Sequence, residues 1–188
     1  MLLVAALFAA LGAGASALPR TNPAERFTHL PIDPYRYDYA KSCRRTASAG
    51  IRGLKRWLEA NSLGESWGTL VCRNVAGSSN VSLHAEGRAI DWRLDAARPR
   101  EKRAADALIR MLLATDSKGN RHALARRMGI QEIIFNCRAW FTGDGLEPYR
   151  PCSRRGVTRT IAHKDHIHLG LNWRGAQRRT TFWAPRPS

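Results

Sequence analysis

Four cysteines, Cys43, Cys72, Cys137 and Cys152, set the tightest limit on what this 188-residue chain can fold into. Their meaning depends on the compartment, and the first residues speak to that. Leu2 to Leu11 form an unbroken apolar run, and Ala15-Ser16-Ala17 supplies the small-x-small pattern of a cleavage site. The run is shorter than the roughly 20 residues that a spanning helix needs. Residues 1–17 are therefore expected to be an export signal outside the fold. In an oxidising compartment an even number of cysteines is expected to form disulfides. A structural zinc site is the rival reading, and the chain has no C-x-x-C pair to support it. Three pairings can be drawn. Cys43–Cys72 with Cys137–Cys152 is favoured, because each closes a modest loop and tethers a segment flanking the candidate site below.

A chain of this length is most simply one domain with one core. Its 44% apolar and 24% charged residues suit a globular protein, but the formal net charge of +16 is extreme. Such a field draws anions, whether nucleic acid, acidic lipid or an anionic cell-wall polymer, and does not choose among them. No helix-turn-helix, zinc-finger spacing or RNP-like strand appears, so nucleic acid is not an expected partner. No stable membrane anchor is expected either.

Residues 18–40 carry four prolines and no helical period, which reads as an irregular arm preceding a domain over 41–188. From Ser48, the residues Ile51, Leu54, Trp57 and Leu58 fall on one helical stripe that stops at Asn61 and Gly64. A strand is predicted around Thr69 to Arg73, followed by the turn "AGSSN" and a short strand in "RAIDWRL". Pro99 opens a second helix with Ala104, Leu108, Met111 and Leu112 on its stripe and Asp116 near its end. "HALARRMG" predicts a short helix ended by Gly129, and "IQEIIFN" and "HIHLGL" predict strands. With strands before and after the helices, an α+β domain on a small, mostly antiparallel sheet flanked by helices is expected.

Four of the six histidines fall in two segments, "SLHAEGRAID" and "HKDHIHLGL". In "SLHAEGRAID", His84 and Asp91 flank Gly87, which allows a tight turn that returns both side chains to one point. In "HIHLGL", strand alternation sends His166 and His168 one way and Ile167, Leu169 and Leu171 the other, with Gly170 leaving the histidine face open. A catalytic zinc takes three protein ligands of this type and keeps a position for water. Taken one at a time, each residue is also an ordinary polar group of a loop or strand face, and "HKDHIH" also suits a structural or adventitious metal tract. The chain contains no H-E-x-x-H helix.

These segments carry a resemblance. Ser82, His84, Gly87, Ala89 and Asp91 fit S-x-H-x-x-G-x-A-x-D at every specified position, and "DHIH" fits a closing D-H-x-H. Together they resemble the LAS group of zinc peptidases, the D-Ala-D-Ala carboxypeptidases and their peptidoglycan endopeptidase relatives. The wider run from Cys72 to Asp91 is also similar to extensin-like C-terminal domains of exported actinobacterial proteins. The motifs cover about twenty residues. The resemblance implies that His84, Asp91 and His168 ligate Zn2+ and that Asp165 acts as general base. It further implies that His166 hydrogen-bonds the reacting carbonyl oxygen or the bound water, and that Arg73 holds a substrate carboxylate or the developing oxyanion. His163 would orient its neighbours.

The expected protein is a secreted, wall-associated monomer that hydrolyses peptide bonds in peptidoglycan stem or cross-link peptides, with anionic wall polymers as further partners. The alternative is a non-catalytic basic wall-binding module on the same fold. Trp92, Trp140, Phe141 and Trp173 are candidates for a cleft, with core packing the expected role of at least two. The connection from Thr142 to Thr160 is the candidate cleft-closing loop, anchored by Cys152, and Asn80–Ser82 formally matches a glycosylation acceptor.

Overall fold

The computed structural model describes residues 22–184. The export signal expected for residues 1–17 lies outside them. The described chain is a single α+β domain built on one six-stranded antiparallel sheet with helices against it.

In chain order, helix α1 (Ala49–Asn61) leads to strands β1 (Glu65–Gly68) and β2 (Ala89–Arg93), then to helices α2 (Pro99–Leu113) and α3 (Ala123–Met128). Strands β3 (Ile130–Phe135), β4 (Arg138–Phe141) and β5 (Leu146–Pro148) follow, then β6 (His166–Leu171) and the short helix α4 (Trp173–Ala176). The spatial order is β1-β2-β6-β3-β4-β5. The last long strand is thus inserted at the centre, between β2 and β3, which come from opposite ends of the helical stretch.

The stripes read from the sequence are the buried faces of the helices. Ile51, Leu54 and Leu58 of α1 and Leu108 and Leu112 of α2 are fully buried. They pack in one cluster with Ile90 and Trp92 of β2, Ile133 of β3 and Ile167, Leu169 and Leu171 of β6. Ser48 caps α1 by accepting a hydrogen bond from the Ile51 amide, satisfying one of the free amides of the first turn. Gly129 ends α3 with φ of 76°, a left-handed conformation that glycine adopts without a Cβ clash. The helices therefore cover one face of the sheet, and the alternate residues of β2, β3 and β6 are left on the other.

Two expectations change. The strand predicted at Thr69 to Arg73 is a loop, and the edge strand is Glu65–Gly68, paired with β2. Leu70 and Val71 lie exposed, Cys72 is bonded to Cys43, and the Val71 amide donates to the His84 carbonyl at 3.3 Å. That segment is fastened over the first motif, and among the described residues no strand of the sheet pairs with it. The connection from Thr142 to Thr160 is also not wholly irregular, since β5 and a 3-10 turn at Arg150–Ser153 lie inside it.

Both favoured disulfides form, Cys43–Cys72 and Cys137–Cys152. Among the described residues, no helix is long and apolar enough to cross a membrane.

Candidate metal centre

The first half of the site is a turn. Ser82 Oγ accepts from the His84 amide at 3.3 Å, and the Gly87 amide donates to the His84 carbonyl at 3.0 Å. Gly87 has φ of 62°, and a Cβ there would sit 2.7 Å from Ala47 Cα and from the Thr46 carbonyl oxygen. Both the backbone and the space require glycine at this position. The turn hands the chain to β2, so Asp91 lies on the sheet beside the His84 ring.

The second half comes from strand register. Asp91 is paired directly with His168 across β2 and β6, and Glu132 of β3 is paired with Gly170, two residues further along β6. Residues paired across antiparallel strands share a face, and diagonal neighbours stay within reach of long side chains. His166, His168 and Gly170 thus occupy the face away from the helices, as alternation requires, while Ile167 and Leu169 enter the core.

Three ligand-type atoms converge there. His84 Nε2 lies 3.0 Å from Asp91 Oδ1 and 3.2 Å from His168 Nδ1, and His168 Nδ1 lies 3.0 Å from the same carboxylate oxygen. His84 and His168 are buried and Asp91 keeps a side-chain exposure of 20%. Ligands of a tetrahedral zinc with bonds of ~2.0–2.1 Å stand roughly 3.3–3.4 Å apart, so this triangle has the size of such a coordination face.

The donor chemistry fits a cation as well. Glu132 Oε1 sits 2.8 Å from His168 Nε2, and an ionised carboxylate only accepts, so Nε2 carries a proton there. His168 Nδ1 then points at a second carboxylate, Asp91, where a lone pair needs a positive charge between the two. Burial opposes the charged form of His168, yet hydrogen bonds with Asp91 and Glu132 outweigh it and push its pKa up to about 10. Hydrogen bonds with His168 and His84 overcome the burial of Asp91 and hold its carboxyl well below the usual range. The pocket therefore demands a cation at Nδ1, which a proton or a metal ion satisfies. His84 responds the opposite way: burial pushes its pKa down, and among the described residues its Nδ1 has no partner.

Glu132 was not legible as part of the site. It is an acid inside the apolar run "IQEIIF", and a buried carboxylate is the only signal that run offers. Its other oxygen accepts from Tyr37 Oη at 2.7 Å. Burial and the Glu132 charge raise the Tyr37 pKa far above its ordinary value, so the phenol remains a donor. A Cβ at Gly170 would come 2.5 Å from Leu83 Cδ1 and 2.7 Å from Glu132 Cγ. The space that Gly170 leaves is filled by those side chains and is not an open floor.

The remaining candidates gather on one side of the triangle. The chain bends at Lys164 and Asp165 before β6 begins, which brings Asp165 back toward the histidines. Asp165 Oδ1 accepts from His166 Nδ1 at 2.8 Å and Oδ2 from Thr160 Oγ1 at 2.8 Å. His166 Nε2 is left facing Asp91 Oδ1 at 3.5 Å. His163 packs on His166 with ring centroids 4.7 Å apart, and burial together with the His168 and His166 charges pushes its pKa down to about 3. Its Nδ1 lies 3.0 Å from the Ile161 carbonyl oxygen, an acceptor that fixes the proton on that nitrogen. Arg73 is exposed, and its charge is one of those lowering the His84 pKa.

Of the aromatic residues considered for a cleft, Trp92 and Trp140 are fully buried core. The exposed aromatic beside the site is Trp67, 5.9 Å from the His166 ring and flanked by the Arg93 guanidinium. No signal in its surroundings, "ESWGTL", marked it.

No curated protein and no solved structure matches the chain. The model of the VldE C-terminal domain family matches residues 55–163, which includes His84, Asp91 and Glu132 and ends before β6. Because that match spans more than half of the 188 residues, the chain belongs to the VldE C-terminal domain family.

Proposed function

We propose that the protein is an exported zinc-dependent hydrolase of peptide bonds in peptidoglycan stem or cross-link peptides. The observation that carries this reading is the meeting of His84 Nε2, Asp91 Oδ1 and His168 Nδ1 within 3.0–3.2 Å, although His168 lies 84 and 77 residues from the other two. The fit of both motifs to those of the LAS zinc peptidases supports the same chemistry. Two disulfides support an oxidising compartment, and the net charge of +16 supports a partner as anionic as bacterial wall.

Zinc held by His84, Asp91 and His168 would supply Lewis acidity to a water and to the peptide carbonyl. The protein residues supply the rest. Asp165 holds His166 through Nδ1, which fixes the tautomer and leaves Nε2 turned toward the cluster to hold or pass a proton. Thr160 holds the second Asp165 oxygen, so the carboxylate cannot swing away from His166. A donor aimed at charge developing on a carbonyl oxygen is worth about 3 kcal/mol, and His166 and Arg73 are the groups suited to that task.

Digestion of purified muropeptides with metal-free and zinc-loaded protein, followed by mass spectrometry, tests the reading. Zinc-dependent loss of a terminal residue or opening of a cross-link is the expected result. One tightly held zinc per chain with every muropeptide intact would instead indicate a wall-binding module.

A further inference from the structure

The arm that precedes the domain is irregular in sequence, yet it is fastened to both halves of the site at residue precision. The Asp38 amide donates to Gln131 Oε1 at 3.0 Å, and Gln131 Nε2 donates back to the Asp38 carbonyl at 3.2 Å, so the arm is paired with the residue beside Glu132. The Lys41 amide donates to Glu86 Oε1 at 2.9 Å, and Arg88 Nη2 donates to the Asp38 carbonyl at 2.9 Å, both within the His84–Asp91 turn. The Trp173 amide, just beyond β6, donates to Asp38 Oδ2 at 2.8 Å. Arg88 is itself fully buried, held by Glu86 and by the Leu171 carbonyl. Immediately before Asp38, Tyr37 reaches Glu132, 95 residues away in sequence. Its ring packs edge-on to Tyr39 and Phe141.

The geometry points to Glu132 and Tyr37 as positioning residues for the metal centre, with the N-terminal arm as its outer layer. This rests on the metal reading of His84, Asp91 and His168. The chain of contacts runs from Tyr37 Oη to Glu132 Oε2, and from Glu132 Oε1 to His168 Nε2. Each link fixes the next. The phenol O–H holds the carboxylate in one rotamer, and the carboxylate fixes the imidazole proton on Nε2. The Nδ1 lone pair is then aimed at the centre of the triangle. Carboxylate–imidazole pairs of this kind raise ligand basicity and orient the ring, and their loss weakens metal binding by about 10–100-fold. Because binding coupling is reciprocal, a metal held by His168 also strengthens docking of the arm.

Three variants of the mature protein test this: Glu132→Gln, Tyr37→Phe, and Tyr39→Phe as a control on the exposed neighbour. Zinc affinity is read by competition with a chromophoric chelator, and the ligand field by the absorption spectrum of the cobalt(II) form. Glu132→Gln is expected to weaken zinc binding by about 10–100-fold and to shift the cobalt bands. Tyr37→Phe is expected to act in the same direction by a smaller factor, and Tyr39→Phe to match the wild type. Zinc is also expected to slow tryptic cleavage after Arg36 and Lys41 in the wild type, and to do so less in Tyr37→Phe. A wild type that binds zinc tightly, with Glu132→Gln equal to it in affinity and cobalt spectrum, overturns the relay alone. A wild type that takes up neither zinc nor cobalt overturns the metal reading and the relay with it.

Discussion

At the scale of single residues, the site is an arrangement of groups that cannot all be satisfied by their own protons. Protons on the two imidazole nitrogens cannot satisfy all three edges of a triangle 3.0–3.2 Å on a side, and two carboxylates flank one imidazole. His84→Ala or His168→Ala removes one corner of the triangle, and each is expected to abolish stoichiometric zinc uptake, as measured by elemental analysis after gel filtration. Gly170→Ala acts without touching a ligand. Its Cβ would meet Glu132 Cγ at 2.7 Å and Leu83 Cδ1 at 2.5 Å, so the Glu132 side chain must shift away from its place on His168. Such overpacking costs about 1–3 kcal/mol in stability, readable by urea denaturation, and zinc affinity is expected to fall with it.

At the scale of elements, the loop joining α2 to α3 is built around a buried pair. Asp116 and Arg127 have fully buried side chains with Arg127 Nη2 3.5 Å from Asp116 Oδ2, and Asp116 also accepts from the Asn120 side chain and from the Lys118 and Asn120 amides. Burial alone would raise the Asp116 pKa, but the hydrogen bonds from Asn120 and the Lys118 amide, with the Arg127 guanidinium 3.5 Å away, outweigh it and hold it below the ordinary 3.8. A carboxylate with a depressed folded pKa contributes stability above its unfolded value, and that contribution is lost as pH falls through the folded value. Acid unfolding of the wild type below about pH 4 is therefore expected to contain a component that Asp116→Ala lacks. At neutral pH Asp116→Ala leaves Arg127 buried without its carboxylate, at a cost of roughly 3–5 kcal/mol in thermal or denaturant unfolding. Cys137–Cys152 acts at the same scale: it closes a loop with a sequence separation of 15, and the Cys137 and Asn136 amides hold the Ala162 and His163 carbonyls beside it. A Cys137→Ser, Cys152→Ser double variant is expected to lose about 3 kcal/mol, measured as a lowered unfolding midpoint.

At the scale of the whole molecule, the sheet separates two tasks. Its helix-covered face is the core, and its other face carries the triangle, Glu132 and the arm. The charge of +16 surrounds this arrangement and acts over roughly a Debye length of ~10 Å at 0.1 M salt. Sedimentation with purified cell wall is expected to show binding that weakens steeply between low and high salt. His84→Ala should leave that binding unchanged, because it comes from the field and not from the cluster.

Much of this was written locally in the chain. Helix periods, the alternation of "HIHLGL" and the turn at Gly87 follow from steric rules over a few neighbours, and so they were readable before any fold was known; the choice of residues 84, 91 and 168 as ligands came from the resemblance of the two motifs to the LAS zinc peptidases. What only the tertiary structure decided depends on which strand lies beside which. Placing β6 between β2 and β3 sets Asp91 opposite His168 and Glu132 diagonal to it, a register that no stretch of ten residues encodes. The same holds for "TLVCR", whose composition suits a strand but whose disulfide and position over the first motif make it a loop, since strand formation is settled by partners. Tyr37 is the extreme case. Its hydroxyl finds a carboxylate 95 residues away because the arm is threaded along the sheet by hydrogen bonds between groups with no sequence relationship to one another.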